Sequence, residues 1–231
     1  MGGGTIMDMR KKLQESVMSV PDLPAGFTEL EYLEGSGTQW INTGKSIYGW
    51  SSNVGVETRF VIPGSEGHAS FKIVVFGCRQ ASRVKNFEVS GYESGLVRWG
   101  TQHFPYCTLL MTNRGRDLVT DFTLHDKKST WLLETGETST QTLTEDPEWL
   151  DIPIYLFALN QNGQLSQCSL DKIYFFRLFN GQELAQELIP VLDENGVPCM
   201  YDKISQGCLY NSGTGTFGYK IKATGEVVAP K

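Results

Sequence analysis

The sequence predicts an all-β fold in which two antiparallel sheets pack face to face as a sandwich. Three observations carry that expectation. From Thr28 onward the chain is written in short runs rich in Val, Ile, Phe, Tyr and Thr, separated by clusters of Gly, Asn, Asp and Ser. Asn180-Gly181 and Asn195-Gly196, dipeptides that accept the positive φ angles of tight hairpins, each lie between two such runs. Almost no helical periodicity separates the runs, whereas a βαβ architecture needs a helix between parallel strands. With 231 residues the chain can bury one large core, so residues 23–231 read as a single domain behind a tail, residues 1–22.

In chain order, Met9, Leu13 and Val17 recur at i, i+4, i+8, one stripe of a short amphipathic helix too brief to be stable alone and a candidate docking segment. Pro21 and Pro24 bracket a linker. The strand expectations then run 28–33, 38–42, 54–62, 71–76, 86–89, 96–99, 107–111, 118–124 and 129–133. They continue at 153–159, 172–179, 183–191, 198–201, 208–210 and 217–221. Residues 172–179 hold few polar positions, which reads as a central strand covered on both faces.

Charge and hydropathy exclude several functions. The net charge is −6 with no concentrated basic run, which argues against a sequence-independent nucleic-acid binder. The longest apolar runs, 152–159 and 173–176, fall far short of the roughly 20 residues a membrane-spanning helix needs. Arg10, Lys11 and Lys12 are followed by no apolar stretch, so residues 1–20 do not read as a secretory leader. A protein working outside a cell would leave by another route, such as lysis. The five cysteines, Cys78, Cys107, Cys168, Cys199 and Cys208, form no C-x-x-C pair and read as free thiols, mostly buried in strands. A bridge between Cys199 and Cys208 is conceivable across a turn, but the dispersed pattern is not the framework of a small secreted scaffold.

Motifs with a chemical reading each have a plainer one. Residues 213–218 spell G-x-G-x-x-G, but a strand-like alternation follows where a dinucleotide fingerprint must open a helix, so a tight turn is expected. Glu29, Glu31 and Glu34 loosely match the acidic strand of laminarinase-type glycoside hydrolases, in which carboxylates on one face act as nucleophile and acid. The plainer reading is a solvated acidic face. His68, His103 and His125 lie apart without metal-ligand spacing, and no G-x-S-x-G elbow places a nucleophile. Calcium is open at the oxygen-rich loops Asp193-Glu194-Asn195 and Asn160-Gln161-Asn162, whose default role is turn formation. For carbohydrate, which sandwiches bind by stacking sugar rings on aromatic ones, the candidates are Tyr48 and Trp50, in a loop read as exposing both rings, and Trp99.

Two stretches are more specific. "LPAGFTELEYLEGSGTQWINTG" at 23–44 resembles the opening of concanavalin A-like lectin/glucanase domains of the laminin G-like type, found in tailed-phage structural proteins and gut-bacterial surface proteins. "IYLFALNQNG" at 154–163 and "LDKIYFFRLFNGQELAQELIPVLDENGVPCMYDKISQGCLYNSGTGTF" at 170–217 are similar to the ending of that family. Residues 49–151 fit by strand rhythm alone. Trp40 stands where the family usually has Tyr, and Cys199 where it usually has Gly. The resemblance implies a jelly-roll sandwich in which Glu29 to Glu34 belong to a fold-defining strand, hence no enzyme. It further implies a virion-associated module of a phage fibre, spike or head decoration that contacts host carbohydrate and neighbouring virion proteins. A bacterial surface location and a purely structural role are its alternatives, and a homo-oligomer is compatible with either.

Overall fold

The computed structural model describes residues 23–50, 53–63, 72–81, 85–92, 96–100, 102–103, 117–142 and 150–231, and among these the regular structure is all strand. The strands are β1 (Thr28–Glu34), β2 (Ile41–Asn42), β3 (Val54–Ile62), β4 (Lys72–Arg79), β5 (Asn86–Tyr92), β6 (Leu96–Gly100) and β7 (Gln102–His103). Next come β8 (Leu118–His125), β9 (Lys128–Leu133), β10 (Thr138–Thr142), β11 (Tyr155–Leu156), β12 (Ala158–Gln161) and β13 (Gln164–Cys168). The last are β14 (Lys172–Asn180), β15 (Glu183–Leu192), β16 (Pro198–Asp202), β17 (Gly207–Leu209), β18 (Gly218–Ile221) and β19 (Val227–Val228). The helix or tail expected at 1–22 and the strand expected at 107–111 lie outside the described residues.

The strands form a jelly-roll-like two-sheet sandwich. The larger sheet runs β10-β9-β8-β3-β14-β1-β15-β16-β17, with β18 on β1 and β19 on β18. The smaller runs β13-β12-β4-β5-β6-β7, with β11 joining β2 and β4. The pairing is antiparallel except where β12 runs parallel to β4. β1 wedges into a fork: it pairs with β14 at Leu33↔Ile173 and with β15 at Thr28↔Leu192, while β14 and β15 pair with each other further along.

The core lies between the sheets, with Phe76 of the smaller sheet at its centre. Its ring meets Phe122 at 6.3 Å and Phe176 at 5.3 Å across the sandwich, and Phe87 at 5.6 Å within its own sheet. Rings at these distances add to the roughly 1.5–3 kcal/mol that burying one large apolar side chain contributes. The polar-poor run in β14 is partly the work of a bulge between Ile173 and Phe175, which sends Ile173, Phe176 and Leu178 into the core. Its other face carries Arg177, held buried by ion pairs.

Both Asn-Gly dipeptides close hairpins, β14–β15 with Gly181 at φ 64° and β15–β16 with Gly196 at φ 75°. The G-x-G-x-x-G stretch is a turn leading into β18, and a side chain at Gly213 or Gly215 would run into the carbonyls of Thr38 and Lys231. One expectation needs correction. The run 153–159 is two strands, β11 and β12, broken at the buried Phe157, whose φ of 60° reverses the chain. Leu23 and Phe27 fold over the outer face of the larger sheet onto Val191, Cys199 and Tyr201, with the Phe27 and Tyr201 rings 5.7 Å apart. Among the described residues no helix is long and apolar enough to cross a membrane.

Candidate functional site

The β12–β13 hairpin is rich in side-chain amides, Asn160, Gln161, Asn162, Gln164 and Gln167, and no charged residue occurs between Ala158 and Leu170. Asn162 at φ 54° and Gly163 at φ 85° make its two-residue turn. Asn160 locks that turn by accepting the Gly163 N–H at 2.8 Å and donating to the Pro153 carbonyl at 2.8 Å. Gln161 is fixed by Arg79, whose Nη2 donates to its Oε1 at 2.7 Å. With the root held, Asn162, Gln164 and Leu165 stand exposed at the edge of the smaller sheet, Leu165 to 47%.

A second loop hangs from the same place. Ile154, the neighbour of Pro153, donates its N–H to the Lys45 carbonyl at 2.8 Å and accepts the Thr43 hydroxyl at 2.8 Å. Gln186 braces that loop through the Thr43 carbonyl at 3.0 Å. At its tip Tyr48 is 63% exposed. The Tyr48 loop and the amide hairpin are thus both tied to the adjacent residues Pro153 and Ile154. The arrangement offers an exposed aromatic ring and uncharged donor–acceptor groups, chemistry suited to hydroxyl-rich ligands. Behind it the outward face of the smaller sheet carries a buried polar row, Arg79, Asn86, Glu88 and Ser90.

The other aromatic candidates fall elsewhere. Trp50, expected to be exposed, is half-buried and packs against the core. Trp99 lies in β6 opposite Phe87, while Arg98 takes the position opposite Glu88. Trp40 packs on Tyr155 with ring centroids 4.2 Å apart, and Trp131 is buried beside Phe122.

The acidic strand is fully engaged. Glu29 pairs with Lys222 at 2.6 Å, Glu31 with Lys220 at 2.6 Å and Glu34 with Lys172 at 3.6 Å. A bulge lies between Leu30 and Tyr32, and the lysines that take up Glu29 and Glu31 are alternate residues of the facing chain. The two oxygen-rich loops are turns. Asp193 accepts the N–H groups of Asn195 and Val197 at 2.9 and 2.8 Å and the Tyr210 hydroxyl at 2.9 Å. Those donors, the Val197 N–H foremost, hold its carboxyl below the usual range. Among the described residues no three His, Cys, Asp or Glu side chains are placed to hold a metal ion. His125 bonds Glu57 at 3.1 Å, and His68 lies outside the described residues.

The sequence reading took Asn160, Gln161 and Asn162 as one oxygen-rich loop and did not join Gln164 and Gln167 to them. The signal was the long uncharged stretch around them. Fold and site together define a class: a jelly-roll-like β-sandwich with an uncharged, amide-rich hairpin at one sheet edge and an exposed tyrosine on a loop anchored beside its root. No protein-family model matches the chain, and no curated protein is significantly similar to it.

Proposed function

We propose that the protein is a non-enzymatic binding module that contacts host carbohydrate, working as part of a phage fibre, spike or head decoration. The observation that carries the reading is the placement of Tyr48 and the amides of the β12–β13 hairpin on loops tied to Pro153 and Ile154. A sugar presents apolar ring faces and uncharged hydroxyls, which an exposed ring and side-chain amides complement. The virion setting rests on the sequence resemblance, with a bacterial surface as its alternative. The ion pairs of Glu29, Glu31 and Glu34 weigh against a glycoside hydrolase.

A purely structural role has its own support. β10, with the sequence Thr-Ser-Thr-Gln-Thr, pairs only with β9 among the described residues and carries neither charge nor proline. Such an edge can pair with a neighbouring chain, including a second copy of this one.

The test is a glycan array on the full chain, with calcium present and chelated. Binding should saturate, and Tyr48→Ala and Gln164→Ala should each weaken it by about tenfold, the equivalent of about 1.4 kcal/mol, with melting temperature unchanged. A blank array from folded protein, or binding indifferent to both substitutions, overturns the carbohydrate reading in favour of the structural one. Hydrolysis of a bound glycan that is lost in Glu29→Gln or Glu31→Gln overturns the non-enzymatic one.

A further inference from the structure

The β16–β17 ribbon carries a pair of thiols with different access to solvent. Its register sets Tyr201 opposite Cys208 and Met200 opposite Leu209, so Cys199 and Cys208 share one face on a diagonal. Cys208 packs against the cluster that holds Cys199, and neither is in a disulfide. Cys199 is sealed beneath Leu23 and Phe27 in the small cluster on the outer face of the larger sheet. Cys208 lies on β17, the edge strand, and is half-buried. Beside it the Tyr210 hydroxyl is anchored on Asp193 at 2.9 Å. Of the other described cysteines, Cys78 is deep in the core and Cys168 belongs to the smaller sheet.

We infer that Cys199 and Cys208 are a peroxide-responsive pair, in which the half-exposed thiol reacts first and the sealed one resolves it into a disulfide across β16 and β17. The Cys208 thiolate attacks one peroxide oxygen, the O–O bond breaks, hydroxide leaves and the sulfur becomes a sulfenic acid. The Cys199 sulfur then attacks that of Cys208, giving up its proton as the S–O bond breaks and water leaves. In sum two thiols are oxidised and one hydrogen peroxide is reduced to two waters. The bridge closes the loop through residues 200–207 and fastens the three-residue edge strand to its neighbour.

The experiment treats the reduced full chain with hydrogen peroxide, counts thiols after denaturation and maps peptides without reduction. Two of the five thiols should disappear, with the Cys199 and Cys208 peptides joined and lighter by two hydrogens. The melting temperature should rise by several degrees. Cys199→Ala should stop the reaction at a sulfenic acid on Cys208 that dimedone traps, and Cys208→Ser should leave Cys199 reduced. The inference is overturned if peroxide joins Cys208 to a different cysteine, or carries it to a sulfinic acid while Cys199 stays reduced. A failure of either variant to fold leaves the peptide map of the unsubstituted chain to decide.

Discussion

The outer face of the larger sheet and the free edge of the smaller one use their polar groups in opposite ways. On the larger sheet a polar ladder crosses the strands from the His125 ring to Glu57, Arg177, Glu187 and Lys203, the last four alternating in charge. Its contacts are 3.1, 3.4, 2.9 and 3.0 Å. Burial pushes the Glu57 carboxyl up, but the His125 hydrogen bond and the Arg177 guanidinium outweigh it and hold Glu57 below the usual range. The β12–β13 edge carries no charge, and its outer amides face solvent. A charge laid into a sheet needs a partner, whereas an exposed amide costs little to leave open to water. The ladder ties strands together, and the edge leaves Asn162 and Gln164 open to solvent.

The strongest way to break this contrast is Arg177→Met. Glu187 and Glu57 lose their shared guanidinium, and urea unfolding should show a loss of about 3–5 kcal/mol. A double change, Arg177→Met with Glu187→Leu, should recover much of it, because the buried charge left unpaired is then gone as well. A single substitution that cost under about 1 kcal/mol would remove the ladder from the account of stability.

Asp171 sharpens the contrast from the other side, being a buried carboxyl whose oxygens find no well-formed hydrogen bond among the described residues. Burial pushes its carboxyl up to about 7, with the nearby Ser169 hydroxyl pulling the other way. Its folded value lies above its unfolded one, so the native state binds the proton more tightly. Its contribution to stability is therefore fully present below the unfolded value and lost as pH rises through about 7. Asp171→Asn should leave stability unchanged near pH 4 and raise it by about 2–4 kcal/mol near pH 9. Equal effects at both pH values would show that Asp171 does not titrate in this range.

The smallest effects belong to exposed groups. Glu29→Gln breaks a pair whose side chains are 43% and 56% exposed, and thermal unfolding should register less than about 1 kcal/mol. Gln164→Ala should change stability by no more than about 0.5 kcal/mol while weakening glycan binding, so the two readouts separate recognition from folding.

Legibility in the sequence followed the same division. β3, at 54–62, matches its expectation at both ends, and β14 and β15 differ from theirs by one residue each, because apolar residues on two packed faces leave a strong pattern. β10 and β13 were missed, since runs of Thr, Ser and Gln at a sheet edge need not alternate with apolar residues. The break at Phe157 had no signal, as a positive φ at a phenylalanine is imposed by tertiary packing and not by local preference. Tyr48 was legible as a loop ring. Trp50 was not separable from it, because neighbouring loop residues differ in burial for reasons that only the packing shows.

The strap formed by Leu23 and Phe27 gives the molecule a direction. The described chain arrives over the outside of the larger sheet, and the amide edge belongs to the smaller one. Copies tethered side by side through their N-terminal segments would therefore present their hairpins in one common orientation. If the hairpins bind as proposed, weak contacts with a repeating surface add as avidity in such an array, and a poor single binder makes a firm ensemble.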